Sequence, residues 1–246
     1  FYSLNDAIAK ASNDDTLQFI ESAHLIANEK TYEIVQGKSI IIDINGKIIS
    51  SSNELFIKNN GYLKIIDSIN TLNEDKSTNF GTGKLSTTGN SLIDNIGTLE
   101  IDSVVIAENK NLGNAISNND SGNVIIKNSK FEINLLGNST NISTGKKDNF
   151  SGINNMSDGD VIISNTEFYN STTDGNVTGY SIYNGLGSIT LENNKFYEDT
   201  ESGIAAIYND NDAEIQVRNS TVLRSIMNNS SKDINLEDCI PVSYTH

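Results

Sequence analysis

The feature that most constrains this chain is a pair of short elements that recur together seven times. The first is apolar-x-apolar: Leu63/Ile65, Leu99/Ile101, Val124/Ile126, Val161/Ile163, Ile189/Leu191, Ile215/Val217 and Ile234/Leu236. Two residues further on stand Asp67, Ser103, Asn128, Asn165, Asn193, Asn219 and Asp238. The second is Ile-x-Asn, at Ile57/Asn59, Ile93/Asn95, Ile116/Asn118, Ile153/Asn155, Ile182/Asn184, Ile207/Asn209 and Ile226/Asn228. Successive first elements lie 36, 25, 37, 28, 26 and 19 residues apart, and successive second elements 36, 23, 37, 29, 25 and 19. The two series rise and fall together, so both elements belong to one repeating unit. From Ile-x-Asn to the next first element the step holds at 6 to 8 residues, while the rest of the unit absorbs the insertions. A unit of short strands and corners that behaves this way is a solenoid, with alternate residues inside and matched positions stacked coil on coil. A leucine-rich repeat would show near-constant spacing, and a β-sandwich would show alternation without two matched series. The expected fold is therefore all-β: a right-handed parallel β-helix with a short N-terminal capping helix, as one domain over residues 1–240.

Stacking assigns places to particular residues. Asn128, Asn165, Asn193 and Asn219 are expected to form a side-chain ladder at one corner, and the Ile-x-Asn residues another. Phe131, Phe168 and Phe196 share an interior position. Lys130, Glu167 and Lys195 fall in one outer column, and Glu192, Arg218 and Glu237 in a second. Cys239 falls in a small polar column with Ser129, Thr166 and Ser220. Ser3-Leu4-Asn5-Asp6 has the form of a capping box with Asp in place of Glu, and Leu4, Ala7, Ile8 and Ala11 share one helical face. This predicts a capping helix within about residues 1–15. Strand patterns follow at Thr16 to Ile20, at Thr31 to Val35, and on either side of Asn45-Gly46. At the far end Pro241 has no N–H, so ladder pairing is expected to stop there. Residues 241–246 then form a tail or the start of a following domain.

A net charge of -15 repels phosphate backbones, which argues against nucleic acid as a partner. No apolar run has the length of a membrane span, so membrane insertion is not expected. The single cysteine leaves no intrachain disulfide. The chain opens on Phe1 rather than Met, which reads as a segment of a longer protein with adjoining domains.

The most specific stretches are Ser3-Leu4-Asn5-Asp6-Ala7-Ile8, Asp14-Asp15-Thr16-Leu17 and Gly37 to Lys47. They resemble the start of β-helix modules in large surface proteins of low-GC Gram-positive bacteria. From Phe1 to Ile240 the chain resembles the pectate-lyase-like superfamily. The abundance of Asn, Ile and Lys with few Arg and Pro is similar to proteins from AT-rich genomes. The resemblance implies an extracellular protein, secreted or attached to a cell wall. The first functional expectation is a non-catalytic adhesion module that binds host or environmental glycan or protein through one loop-bearing face. The alternatives are a lyase or glycoside hydrolase acting on acidic polysaccharide, and a structural spacer. Lyases of the superfamily need a base, usually Arg, beside Asp-bound calcium; here only Arg218 and Arg224 exist, and Arg218 falls in a charge column. The polygalacturonase branch needs Asn-Thr-Asp, Asp-Asp and Gly-His-Gly. Here Asn165-Thr166 is followed by Glu167, Asp14-Asp15 lies in the cap region, and neither His24 nor His246 sits in Gly-His-Gly. No catalytic residue is assigned, although two carboxylates at a suitable separation would serve a glycosidase.

The candidate binding residues are four tyrosines. The middle residue of Ile-x-Asn faces out, which sets Tyr183 beside Tyr208, between Asn154 and Met227 in the same column. Tyr169 and Tyr197 form a similar pair next to the Phe column. Exposed aromatics near Asn and Asp suit a sugar or a protein partner, and equally stabilise a β surface. No cofactor is expected unless it is structural calcium. Asp120, Asp158, Asp160 and Asp212 lie on turns after Ile-x-Asn, where hard oxygen ligands suit that ion and ordinary Asx turns are the plainer account. Longer loops are expected over Asn70 to Leu85, Leu135 to Asn149 and Tyr169 to Val177, all from the same arc of the coil. Asn138, Asn141 and Asn176 match the glycosylation pattern.

Overall fold

Strands with Ile, Val or Leu at alternate positions have one apolar face, which must be buried. In the computed structural model they bury it along a common axis, winding into a right-handed parallel β-helix. The structure describes residues 3–25, 31–52, 55–69, 81–87, 91–109, 113–135, 150–172, 179–197 and 205–245. Each coil passes through three ladders in turn. The first ladder is a nine-stranded parallel sheet from Asp15–Gln18 to Ile234–Glu237. The second begins at Ala23–Leu25 and the third at Tyr32–Ile34. The long strand Thr221–Asn228 runs through both, so together they count as one 16-stranded sheet.

The interior is built from rows in strict register. Ile93, Ile116, Ile153, Ile182, Ile207 and Ile226 stand one above the next, each at 0% exposure. Core width is kept by exchanging size between two other rows. Phe131, Phe168 and Phe196 stack in the second ladder with ring centroids 5.0 and 4.6 Å apart. In those coils the buried residue just before the row Ile is small: Gly152, Ser181 and Ala206. Nearer the N-terminus Phe56 and Leu92 occupy that place, and Ile49 and Leu85 occupy the Phe row. A close-packed core needs such trading, because a lost methylene leaves a void that costs stability.

The Ile-x-Asn residues form one continuous ladder. Asn59, Asn95, Asn118, Asn155, Asn184 and Asn209 each donate to the Oδ1 of the next, ending on Asn228, at 2.7 to 3.1 Å. Each amide also donates to a corner carbonyl, such as Leu186 O from Asn155 at 2.7 Å and Gly122 O from Asn118 at 2.8 Å. Six of these side chains, all but Asn228, are fully buried. Removing one strands a donor in the coil on its N-terminal side and an acceptor in the coil on its C-terminal side, at about 1–3 kcal/mol for each group. The ladder stops at the N-terminal end, where Ile34 takes the Asn position opposite Asn59.

The other corner differs from expectation. Among the described residues, Asn165 to Asn128 at 3.3 Å is the one side-chain link between members of that set. What Ser103, Asn128, Asn165, Asn193, Asn219 and Asp238 share is a left-handed backbone, with φ between 48° and 63°. Asn and Asp tolerate that conformation best after Gly, so the column records a backbone need and not an amide ladder. The next position is the expected small polar column. Ser129, Thr166 and Ser220 donate to the carbonyl two residues back at 2.7 to 2.9 Å, and Cys239 places its Sγ 3.2 Å from Glu237 O in the same way.

The ends differ in how they close. Ser3 caps the helix Leu4–Lys10 by accepting from Asp6 N at 3.1 Å, and Ala7 and Ile8 are buried over the first coil. The Lys38 ammonium donates to the carbonyl of Ala11 at the other end of the helix. At the bottom, pairing does not stop at Pro241. Strand Ile240–Thr245 runs parallel to Thr221–Asn228 with Pro241 opposite Val222. Ile240 N already donates upward to Ser220 O at 3.0 Å, so the next nitrogen faces away from the ladder and its missing proton costs nothing there. Strand Ala23–Leu25, which no sequence pattern marked, completes the first coil.

Candidate functional site

Two outer faces carry tyrosines. On the second ladder, strand Glu167–Thr172 alternates Glu167 out, Phe168 in and Tyr169 out. Tyr169 and Tyr197 stack with centroids 4.1 Å apart and planes 12° apart. Both phenols donate to Glu167, at 2.9 and 3.1 Å, and Lys195 Nζ lies 3.7 Å from the same carboxylate. Glu167 is thereby left 8% exposed although it sits on the outer surface. Lys130 Nζ stands 4.5 Å over the Tyr169 ring and pairs with Glu132 at 2.6 Å, which Lys84 also reaches at 3.2 Å. The expected Lys130–Glu167–Lys195 column thus closes only on its Lys195 side, because Lys130 finds Glu132 nearer. Burial pushes the Tyr169 phenol well above the usual tyrosine range, and its hydrogen bonds to Tyr197 and Glu167 push it further. Burial would raise Glu132, but bonds from Lys130 and Lys84 hold its carboxyl below the ordinary value. Tyr169, Tyr197, Glu167, Lys195, Lys130, Glu132 and Lys84 thus each have a partner within this face.

On the third ladder Tyr183 and Tyr208 are paired in register, with centroids 5.6 Å apart and planes 9° apart. Tyr180 joins them, 4.8 Å from Tyr208 and 6.1 Å from Tyr183. The Tyr183 phenol donates to Asp210 at 3.0 Å. Asp210 accepts further from Asn229 Nδ2 at 2.7 Å and from Asn211 N at 2.9 Å. Burial pushes Tyr183 up to about 12, with the Asp210 hydrogen bond and charge adding to it. Burial would raise Asp210, but the bonds from Asn229, Asn211 and Tyr183 outweigh it and hold the carboxyl below its usual value. Around the rings lie Met156, Leu186 and Met227, at 41, 42 and 38% exposure. Gly185 binds this patch together: a Cβ there would fall 2.5 Å from Met156 Sδ and 2.8 Å from Tyr183 Cε1. The coils that form the face, residues 113–122, 150–160, 179–188 and 205–214, carry six carboxylates and no Lys or Arg.

The tyrosines named from sequence therefore pair as expected, Tyr183 with Tyr208 and Tyr169 with Tyr197. Tyr180, Met156, Leu186 and Asp210 were not foreseen. Strict alternation puts Tyr180 inside with Ile182, but Ser181 and Ile182 are both buried and Tyr180 stays half-exposed. Met156 carried a signal: it is the next outward residue after Asn154. The turn aspartates are spread out. Asp120 and Asp158 lie in adjoining coils, joined by Asp158 N to Asp120 O at 3.0 Å. Asp160 opens a first-ladder strand and its N–H is held by Asn123 Oδ1 at 2.9 Å. Asp212, which accepts from Ser231, is separated from Asp158 by the coil that has Gly185-Leu186-Gly187 at this corner. Among the described residues no three His, Cys, Asp or Glu side chains group closely enough to hold a metal ion.

Arg218 pairs with Glu237 at 3.0 Å in its column, and Arg224 is buried on strand Thr221–Asn228. His24 lies 2.7 Å from Ser50 Oγ. The three expected loops fall largely outside the described residues, as do Asn138, Asn141 and Asn176. Their attachment points are not all on one arc. Segment 70–80 connects the first ladder to the second, whereas 136–149 and 173–178 connect the second to the third. Both corners lie between a first element and the next Ile-x-Asn, so spacing alone does not separate them.

The fold places the chain in the class of parallel β-helix solenoids. Comparison with known protein families, with curated proteins and with solved structures finds no match.

Proposed function

We propose that this chain is a non-catalytic extracellular surface module of adhesin type, from the pectate-lyase-like branch of β-helices. It belongs to a larger protein, secreted or attached to the wall of a low-GC Gram-positive bacterium, and binds host or environmental glycan or protein. The observation that carries this reading is the patch across adjoining coils in which the half-exposed Tyr183 and Tyr208 stack beside the exposed Met156 and Leu186. Aromatic and Met side chains gathered on one surface are what a recognition surface is made of. Arg218, the more accessible of the two arginines, is held in an ion pair with Glu237, which supports binding over lyase chemistry.

A glycan and protein array, run beside a reducing-sugar assay on acidic polysaccharides, tests the proposal. Binding without turnover is expected; release of reducing ends or unsaturated products contradicts it. Calorimetric titration with calcium addresses Asp120, Asp158, Asp160 and Asp212 separately. No heat and no change in melting temperature would remove calcium from the account.

A further inference from the structure

The two tyrosine faces share a design: stacked phenols beside a carboxylate that accepts their protons in hydrogen bonds. On the second ladder the design is completed by cations of the chain itself, Lys130 over the Tyr169 ring at 4.5 Å and Lys195 at 3.7 Å from Glu167. On the third ladder the same phenol and carboxylate pair, Tyr183 and Asp210, shows neither among the described residues: segments 113–122, 150–160, 179–188 and 205–214 contribute no Lys or Arg, and the next, which supplies Met227 and Asn229, holds Lys232 on the turn that follows. We infer that a basic protein segment, bearing Arg or Lys, docks on the third-ladder face and supplies from outside the cations that the second ladder supplies from within. This rests on the binding-module reading and names its partner class.

Three features fit such a segment. Asp210 and the phenol oxygens accept hydrogen bonds, and guanidinium and ammonium groups only donate. Met156, Leu186 and Met227 offer an adaptable apolar surface, against which the methylene stems of Arg and Lys lie while their heads reach the carboxylates. Asp158 and Asp212 rim the patch with negative charge, which steers a cationic partner to it and repels an acidic polysaccharide.

The test uses the chain as it stands. Fluorescence polarisation measures binding of a short labelled peptide of Arg, Lys and Leu, and of the same peptide with Glu at every basic position. The expected result is binding of the basic peptide alone, weakening as salt rises. Leu186→Lys puts a cation into the patch at an exposed position, and Asp210→Asn removes its central charge; each should weaken binding about tenfold. Glu192→Gln removes one exposed charge from the first ladder and should change affinity less than about twofold. Circular dichroism confirms that the variants remain folded. Equal binding of the two peptides overturns the inference, as does a loss with Glu192→Gln equal to that with Asp210→Asn, which would mean a diffuse field and no docking face. If the chain binds glycans but not the basic peptide, the binding-module reading stands and this inference falls. If it binds neither, both fall.

Discussion

The second and third ladders carry the same residue type at equivalent outward positions, and use it differently. On the second, Tyr169 and Tyr197 are fastened to a carboxylate that is 8% exposed, with Lys130 over one ring. On the third, Tyr183 and Tyr208 lean on Asp210, which is half-buried and already holds two other donors. The difference teaches that an aromatic pair on a solenoid surface has no fixed meaning. Its meaning depends on whether the neighbouring columns close the network. Where they do, the pair is scaffold. Where they leave acceptors and apolar side chains facing solvent, the pair is a surface for something else.

The sharpest way to break this contrast is at the two carboxylates. Glu167→Ala leaves two phenols and Lys195 without their acceptor in a nearly buried site and should cost about 3–4 kcal/mol in urea unfolding. Asp210→Ala, beside water, should cost about 1 kcal/mol or less. Equal losses would erase the distinction. Next come the hydroxyls: Tyr169→Phe and Tyr197→Phe should each cost about 1 kcal/mol, and the double variant more than the sum, because only the second loss leaves Glu167 without a phenol donor. Alkaline titration sharpens the comparison further. Tyr169 and Tyr183 both hold their protons above the ordinary value of 10.0. A raised folded value means their contribution is complete below that ordinary value and is lost as pH climbs through the folded one, so the tyrosines' share of the stability should fall at alkaline pH. Absorbance of tyrosinate should show Tyr183 ionising at about 12, with Tyr169 later still. Glu167→Ala should bring the Tyr169 step down and leave Tyr183 unmoved. The smallest effect belongs to Tyr183→Phe, within about 0.5 kcal/mol of the parent, since Asp210 keeps its bonds from Asn229 and Asn211.

Much of the scaffold was legible because period and register are properties of sequence. Matched spacing of the Ile-x-Asn elements located a ladder of seven asparagines, and outward parity set Tyr183 beside Tyr208. What stayed hidden were facts of direction and depth. A run of Asn128, Asn165, Asn193 and Asn219 looks alike whether the amide or the backbone is selected, and only φ separates the two. Tyr180 was concealed because Ser181 and Ile182 are buried in succession, which breaks alternation. Glu167 read as one member of a charge column, yet its main partners are Tyr169, two residues on, and Tyr197, 30 residues on. Pairing beyond Pro241 depended on which way one nitrogen faces, which composition does not reveal.

Everything above depends on matched positions lying side by side in parallel register. The direct measurement is disulfide formation in a Cys239→Ser background between cysteines placed on neighbouring exposed strands. Ser188 and Glu214 are register partners on the first ladder, so cysteines there lie at the roughly 5 Å strand spacing that a disulfide spans. Glu192 and Glu214 lie on the same two strands but four residues out of step, about 13 Å apart. Mild oxidation should link Ser188→Cys to Glu214→Cys nearly completely and leave Glu192→Cys with Glu214→Cys reduced. Linkage of the second pair, or of neither, would contradict the stacked solenoid and the faces built on it.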